Sequence, residues 1–195
     1  MLTVATAARR FNLVDVSAAR TALQLVDRSD DALLKAYIDR ASDVIARACN
    51  RVFARETVVE TFRPDQCRET LILARYADIA IGSVVENDTT LDAADYEVNP
   101  ASGLLARLSN DRPCWWPTGK IVVTYDAGFT LPGGCPGALA QACLQLVKSY
   151  YLGGDRDPMV RSEALENVSS AGYWNAELPP DVAALLAGFR NRRLR

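Results

Sequence analysis

Ser29–Phe53, SDDALLKAYIDRASDVIARACNRVF, is the stretch from which the rest of the chain is read. Its apolar residues Leu34, Ile38, Ala41, Ile45, Ala48 and Val52 alternate steps of four and three, and Leu33, Tyr37, Val44 and Cys49 widen the stripe. That is the spacing of one buried helical face, and no strand produces it. Ser29 is the expected N-cap, Asp30 and Asp31 place negative charge where the helix dipole favours it, and Arg47 and Arg51 lie toward the opposite end. Burying Leu34, Ile38 and Ile45 is worth roughly 1.5–3 kcal/mol each, so the helix needs a partner surface.

A second helical pattern supplies it. From about Pro136 to Leu152, Leu139, Ala142, Cys143, Leu146, Val147 and Tyr150 share a face, and Gly153-Gly154 stop the helix. Between the two, the period shortens toward two. Glu56 to Phe62, Thr70 to Ala74, Ile79 to Val85, Asp95 to Val98, Leu104 to Leu108 and Lys120 to Tyr125 read as short strands, with Asn99 to Gly103 as a hairpin turn. Of Trp115 and Trp116, one ring is expected to pack on the sheet and the other to cover its edge; base stacking is the weaker alternative. Gly128 is expected in a left-handed conformation. Residues 1 to 28 read as a lead-in strand or turn and a short helix near Val16 to Leu25.

The expected fold is α+β with a mainly helical core: two long packed helices, shorter N- and C-terminal helices, and an inserted antiparallel β region. The expected organisation is a core domain over 1–154 with the insertion at about 55–130, an extended arm over 155–178, and a docking helix with a basic tail over 179–195. The arm is polar and broken by Pro158, Gly172 and Pro179-Pro180, with at most a short helix near Met159 to Leu165 and an apolar island at Tyr173-Trp174. In the last segment Val182, Leu185, Leu186 and Phe189 form an i, i+3, i+4, i+7 stripe ahead of Arg190, Arg192, Arg193 and Arg195.

Composition narrows the functional classes. The 195 residues are 49% hydrophobic and 24% charged, the usual soluble balance, with no apolar run near the roughly 20 residues of a membrane helix. The N-terminus lacks a signal-peptide core, so the chain reads as cytosolic and unprocessed. Lys plus Arg number 22 and Asp plus Glu 24, a net charge of −2, which argues against a dedicated nucleic-acid binder. Five cysteines without a C-x-x-C indicate neither a disulfide framework nor a zinc site. The chain contains no histidine, which removes the usual general base and the commonest metal ligand. No phosphate-loop, dinucleotide, zinc-protease, calcium-loop or nucleophile-elbow motif occurs, and carboxylate pairs such as Glu163 with Glu166 fall where solvated charge is the default. No catalytic, cofactor or metal site is expected.

The order of segments carries more. DDALLKAYIDRASDVIARACNRVF, then strands, then KIVVTYDAGF, a Pro-led helix GALAQACLQLVKSYYLGG and RSEALENVSSAGYW resemble the head-tail connector (adaptor) proteins of long-tailed bacteriophages and phage-like gene transfer agents. The resemblance spans roughly Leu13 to Phe189 and rests on segment order. It implies a non-enzymatic virion protein, made in the bacterial cytoplasm and located in the particle neck. Such a protein forms a ring, expected to be dodecameric, below the portal and above stopper or tail proteins, with double-stranded DNA passing through unread. The last helix and its arginines are then expected to dock on the portal, the alternative being that the stripe covers the subunit's own bundle. Tyr173 and Trp174 are expected to anchor the arm on a neighbouring copy or on their own subunit. The competing function is a nucleic-acid-associated or DNA-packaging module using the basic tail on phosphates.

Overall fold

The computed structural model describes residues 1–153, 162–165, 169–172 and 178–191. In chain order the elements are β1 (Leu2–Thr6), α1 (Val16–Leu23), α2 (Asp31–Cys49), β2 (Glu56–Phe62), β3 (Thr70–Ile72), β4 (Ala80–Glu86), β5 (Thr89–Thr90), β6 (Tyr96–Asn99), β7 (Leu104–Ser109), β8 (Arg112–Cys114), β9 (Ile121–Ala127), α3 (Gly137–Leu152), β10 (Ser162–Leu165), β11 (Ser169–Gly172) and α4 (Pro180–Leu186). They divide into a strand unit, Met1–Phe11 with Val52–Gly134, and a helical unit, Asn12–Arg51 with Cys135–Arg195.

In the strand unit the large sheet has the order β1-β2-β9-β4-β5 and the small one β3-β7-β6, with β8 added to β7. All pairings between these strands are antiparallel. β9 is the central strand, and its alternation is complete: Ile121, Val123, Tyr125 and Ala127 are buried, the residues between them only partly so. Val58 and Val84 from the large sheet meet Leu71 and Leu105 from the small one, with Trp116, in a single core. Trp116 is fully buried and donates its indole N–H to the Leu105 carbonyl at 3.1 Å, while Trp115 is 64% exposed. Two turns carry the Asn-Asp chemistry of tight hairpins: Asn87 and Asp88, and Asn110 and Asp111, all have positive φ. Gly128 has φ +107°, and a Cβ there would lie 2.4 Å from the Ala54 carbonyl oxygen, so only glycine lets the chain leave β9 beside β2's lead-in.

In the helical unit the contacts between α2 and α3 run in opposite senses along the two chains. Asp30 accepts a hydrogen bond from the Tyr151 hydroxyl at 2.6 Å, Tyr37 and Tyr150 have ring centroids 5.9 Å apart, and Ser42 lies 3.8 Å from the Cys143 sulfur. The helices are therefore antiparallel. Leu34, Ile38, Ala41 and Ile45 face Leu139, Ala142, Cys143, Leu146 and Val147, all buried. α1 begins on Asp15, whose carboxylate accepts from the Ala18 N–H at 2.8 Å. α2 ends on Asn50 at φ 49°, a left-handed cap.

The expectation of a mainly helical core is overturned. The fold is sheet-rich α+β, in which the strands close two sheets over a core of their own rather than forming an inserted antiparallel layer on a helix pair. The physical reason is that β2 and β9 bury alternate residues and β4 buries Val84, which requires a second apolar surface, and the small sheet provides one. Two local expectations also change. Asp30, not Ser29, precedes α2, with no side-chain capping bond. Ser162–Leu165 is no helix: it pairs with Ser169–Gly172 as a hairpin.

Candidate assembly site

The buried polar groups are occupied in holding the strands together. Glu60, buried on β2, accepts from the Tyr125 hydroxyl at 2.8 Å and from the Ala74 N–H at 2.8 Å, and the Tyr125 oxygen in turn accepts from the Arg75 N–H at 3.1 Å. Glu56, four residues earlier on the same face, lies 3.6 Å from the Arg75 guanidinium. Arg107 joins Glu86 at 3.0 Å and the Asp95 carbonyl at 2.9 Å. These networks fix loops to strands. Burial pushes the Cys143 thiol up to about 12, against a hydrogen bond from Ser42, and raises Cys49 and Cys135 as well, which disfavours their thiolates. Among the described residues no group of His, Cys, Asp and Glu could hold a metal ion, and no helix is long and apolar enough to cross a membrane.

What the strand unit does present is an edge. Among the described residues β1 is the outermost strand of the large sheet and pairs only with β2. Thr3 to Thr6 are exposed, and Thr6 also lines a cleft of about 370 Å³ whose walls include Arg9, Arg10, Arg55, Asp126 and Phe129. Within it Asp126 accepts from the Thr57 hydroxyl at 2.6 Å, and Arg55 pairs with Asp78 at 2.6 Å. Arg9 and Arg10 are exposed at its rim. The sequence alone reads the first residues as a lead-in strand or turn and gives this edge no role. The available signal was an uncharged β-forming run, LTVAT, followed closely by two arginines.

The residues expected to dock are placed unevenly. Val182 and Leu186 are fully buried, with α4 packed on α3. Leu185 and Phe189 are half-buried, and Arg190 is exposed. The Asn191 N–H donates to the Cys49 carbonyl at 2.8 Å, which ties the end of this segment to the end of α2. Half of the apolar stripe is thus already committed inside its own unit, the alternative left open by the sequence. Arg192, Arg193, Arg195, Tyr173 and Trp174 lie outside the described residues.

Solved structures share this fold across almost their whole length. A chain in the neck of an empty gene transfer agent particle computed with C6 symmetry is 20% identical, with a TM-score of 0.59 over 100% of this chain and 97% of that one. A chain in the neck of a native gene transfer agent particle computed with C12 symmetry is 21% identical, with a TM-score of 0.58 and the same coverage. A chain in the virion of a native gene transfer agent particle is 23% identical, with a TM-score of 0.57 and again the same coverage. At these identities the likeness is one of fold. No curated protein matches the sequence. The profile of one family does match, over residues 12–192, and so across both units: the chain belongs to the head completion protein family.

Proposed function

We propose that this chain is a structural head-tail connector of a phage or gene transfer agent particle. Copies form a ring in the neck, below the portal and above the stopper or tail proteins, joining capsid to tail and leaving an axial channel for double-stranded DNA. The observation that carries the reading is the family match across both units, together with a fold shared end to end with chains from gene transfer agent necks, one of them computed with C12 symmetry. A dodecameric ring fits that symmetry. The role is mechanical and calls on no catalysis, cofactor or metal.

Within this reading the C-terminal segment meets the portal. Arg190, Arg192, Arg193 and Arg195 pair with portal carboxylates, for which the guanidinium fork is suited, while Leu185 and Phe189 add apolar contact. Val182 and Leu186 serve by holding α4 on α3. Tyr173 and Trp174 anchor the arm on a neighbouring copy, as large aromatics do at interfaces. DNA passes without sequence-specific binding, since a lining dense in cations would hold phosphates at every step.

The test is an image of the particle neck with the chain labelled, expected to show it as a ring at the portal. A chain absent from the neck, or lying elsewhere on the particle, would overturn the reading. Removing the residues after Asn191 should leave a folded protein that no longer binds purified portal. Tight binding of free duplex with a steep salt dependence would favour the packaging-module alternative instead.

A further inference from the structure

The two edges of the large sheet are complementary. At one edge stands β1, Leu-Thr-Val-Ala-Thr, with no charged residue and no proline. At the other edge β5 pairs with Val85 and Glu86, and the Leu91 N–H takes the Val84 carbonyl at 2.9 Å, which among the described residues leaves Ala80-Ile81-Gly82-Ser83 without a strand beyond it. That stretch is also free of charge and proline. Exposed edges are ordinarily blunted by such residues, because unpaired N–H and C=O groups attract another strand. Neither stretch carries such a residue; each carries one β-bulge instead.

The register between them follows from the sheet. Leu2 pairs with Glu60, Glu60 with Val123, and Val123 with Val84; Thr3 is level in the same way with Ser83, and Thr6 with Ala80. β1 and β4 run in opposite directions, because three antiparallel steps separate them. Each also carries one irregularity, β1 between Val4 and Thr6 and β4 between Ile81 and Ser83. Met1 and Thr61 exchange both of their backbone hydrogen bonds, so alternation turns the N–H and C=O of Leu2 and Val4 outward. On β4 the irregularity falls at Gly82, which has no partner on β9, so beyond it the outward residue is Ile81, level with Val4 through Val58 and Tyr125. An antiparallel register that follows these levels, from Thr3 against Ser83 to Thr6 against Ala80, therefore sets the outward groups of Val4 opposite those of Ile81. Just past Thr6 stand the exposed Arg9 and Arg10, and just before Ala80 lies Asp78, the partner of Arg55, whose side chain is still 67% exposed.

We infer that β1 of one copy adds to the open stretch Ala80–Ser83 of the next, continuing the large sheet from subunit to subunit, with Arg9 and Arg10 reaching the neighbour's Asp78. The occupant of each edge is a second copy of this chain. The contact is heterologous, the kind that closes into a ring when the rotation per copy divides a full turn. The inference rests on the ring proposed above and names the surface that makes it.

The test uses the full chain in assembled particles. Thr3 and Ser83 form a non-hydrogen-bonded pair in this register, where facing Cα atoms approach to about 4.5 Å, within disulfide reach. T3C together with S83C should give, on oxidation, a ladder of covalent multiples, whereas T3C alone, S83C alone and the native chain with its exposed Cys67 should not. V4P removes one outward N–H and should abolish ring formation while the purified subunit keeps its native circular dichroism. A ring visible at the neck with no ladder from the double variant, or a ring that survives V4P, would overturn the edge pairing and leave the ring itself standing. A native particle with no ring would overturn both.

Discussion

In the helical unit the buried polar side chain among the described residues is Ser42, a hydroxyl; the strand unit instead buries two carboxylates, Glu56 and Glu60. Ser42 accepts from the Leu13 N–H at 3.1 Å and touches Cys143, so it ties a connecting segment to α2 at little electrostatic cost. Glu60 has a hydroxyl and a backbone N–H directed at it, and Glu56 a guanidinium. The helices are thus held by shape and apolar burial, which any well-packed stripe supplies. The strands depend in addition on particular partners, and a buried charge that loses a partner is costly. A unit of the first kind tolerates change by volume; the second kind also discriminates by chemistry.

That contrast can be broken at its strongest points first. Trp116→Ala removes the largest side chain of the strand core and its bond to Leu105, and should cost about 3–5 kcal/mol. Hydrogen exchange should quicken in β7 and β9 while α2 stays protected; equal loss in both units would show that they do not fold as separate cores. Ile45→Ala, its counterpart in α2, should cost about 2–5 kcal/mol, read by denaturant unfolding. A loss no larger than that of a surface substitution would take Ile45 out of the core.

Chemistry is separated from volume at the next level. Glu60→Leu keeps bulk but leaves the Tyr125 hydroxyl and the Ala74 N–H without their acceptor, a loss of about 1–3 kcal/mol. Combined with Tyr125→Phe the two losses should fall short of their sum, because they share one bond; strict additivity would mean that the network carries no coupling. The smallest effect belongs to Asp15→Ala, about 0.5–2 kcal/mol from the lost cap of α1. Hydrogen bonds from Ala18 and Ser17 lower the Asp15 pKa from its ordinary 3.8. A lowered carboxylate contributes stability above its unfolded value and loses it as pH falls through the folded one. The native chain and the variant should therefore converge in acid below that range, and a gap that stays constant with pH would assign the effect to something other than the charged cap.

Much of the element list was legible. The 19-residue α2 and the 16-residue α3 are long enough for their stripes to repeat several times, and their limits fall within a few residues of those read from Ser29–Phe53 and Pro136 to Leu152. Glu56–Phe62 reads as a strand and is one. What periodicity could not carry was the balance between helix and sheet. β3 and β8 have three residues each, too few to establish a period, and β2 meets β9 across a long stretch of chain that no local pattern encodes. The edge at β1 was invisible for a related reason: a strand can be recognised alone, but an edge exists only once its neighbours are known.

The division of the chain also sets an order of events during synthesis. Every residue of the strand unit has been made by Gly134, before the first residue of α3 at Gly137, whereas α2 is complete at Cys49. At about 5–20 residues per second α2 waits on the order of ten seconds for the surface that will cover Leu34, Ile38 and Ile45. A nascent chain of this protein passes through an interval in which its finished half is β and its exposed apolar stripe is helical. That interval, not the finished fold, is when a chaperone at the ribosome would have most to protect.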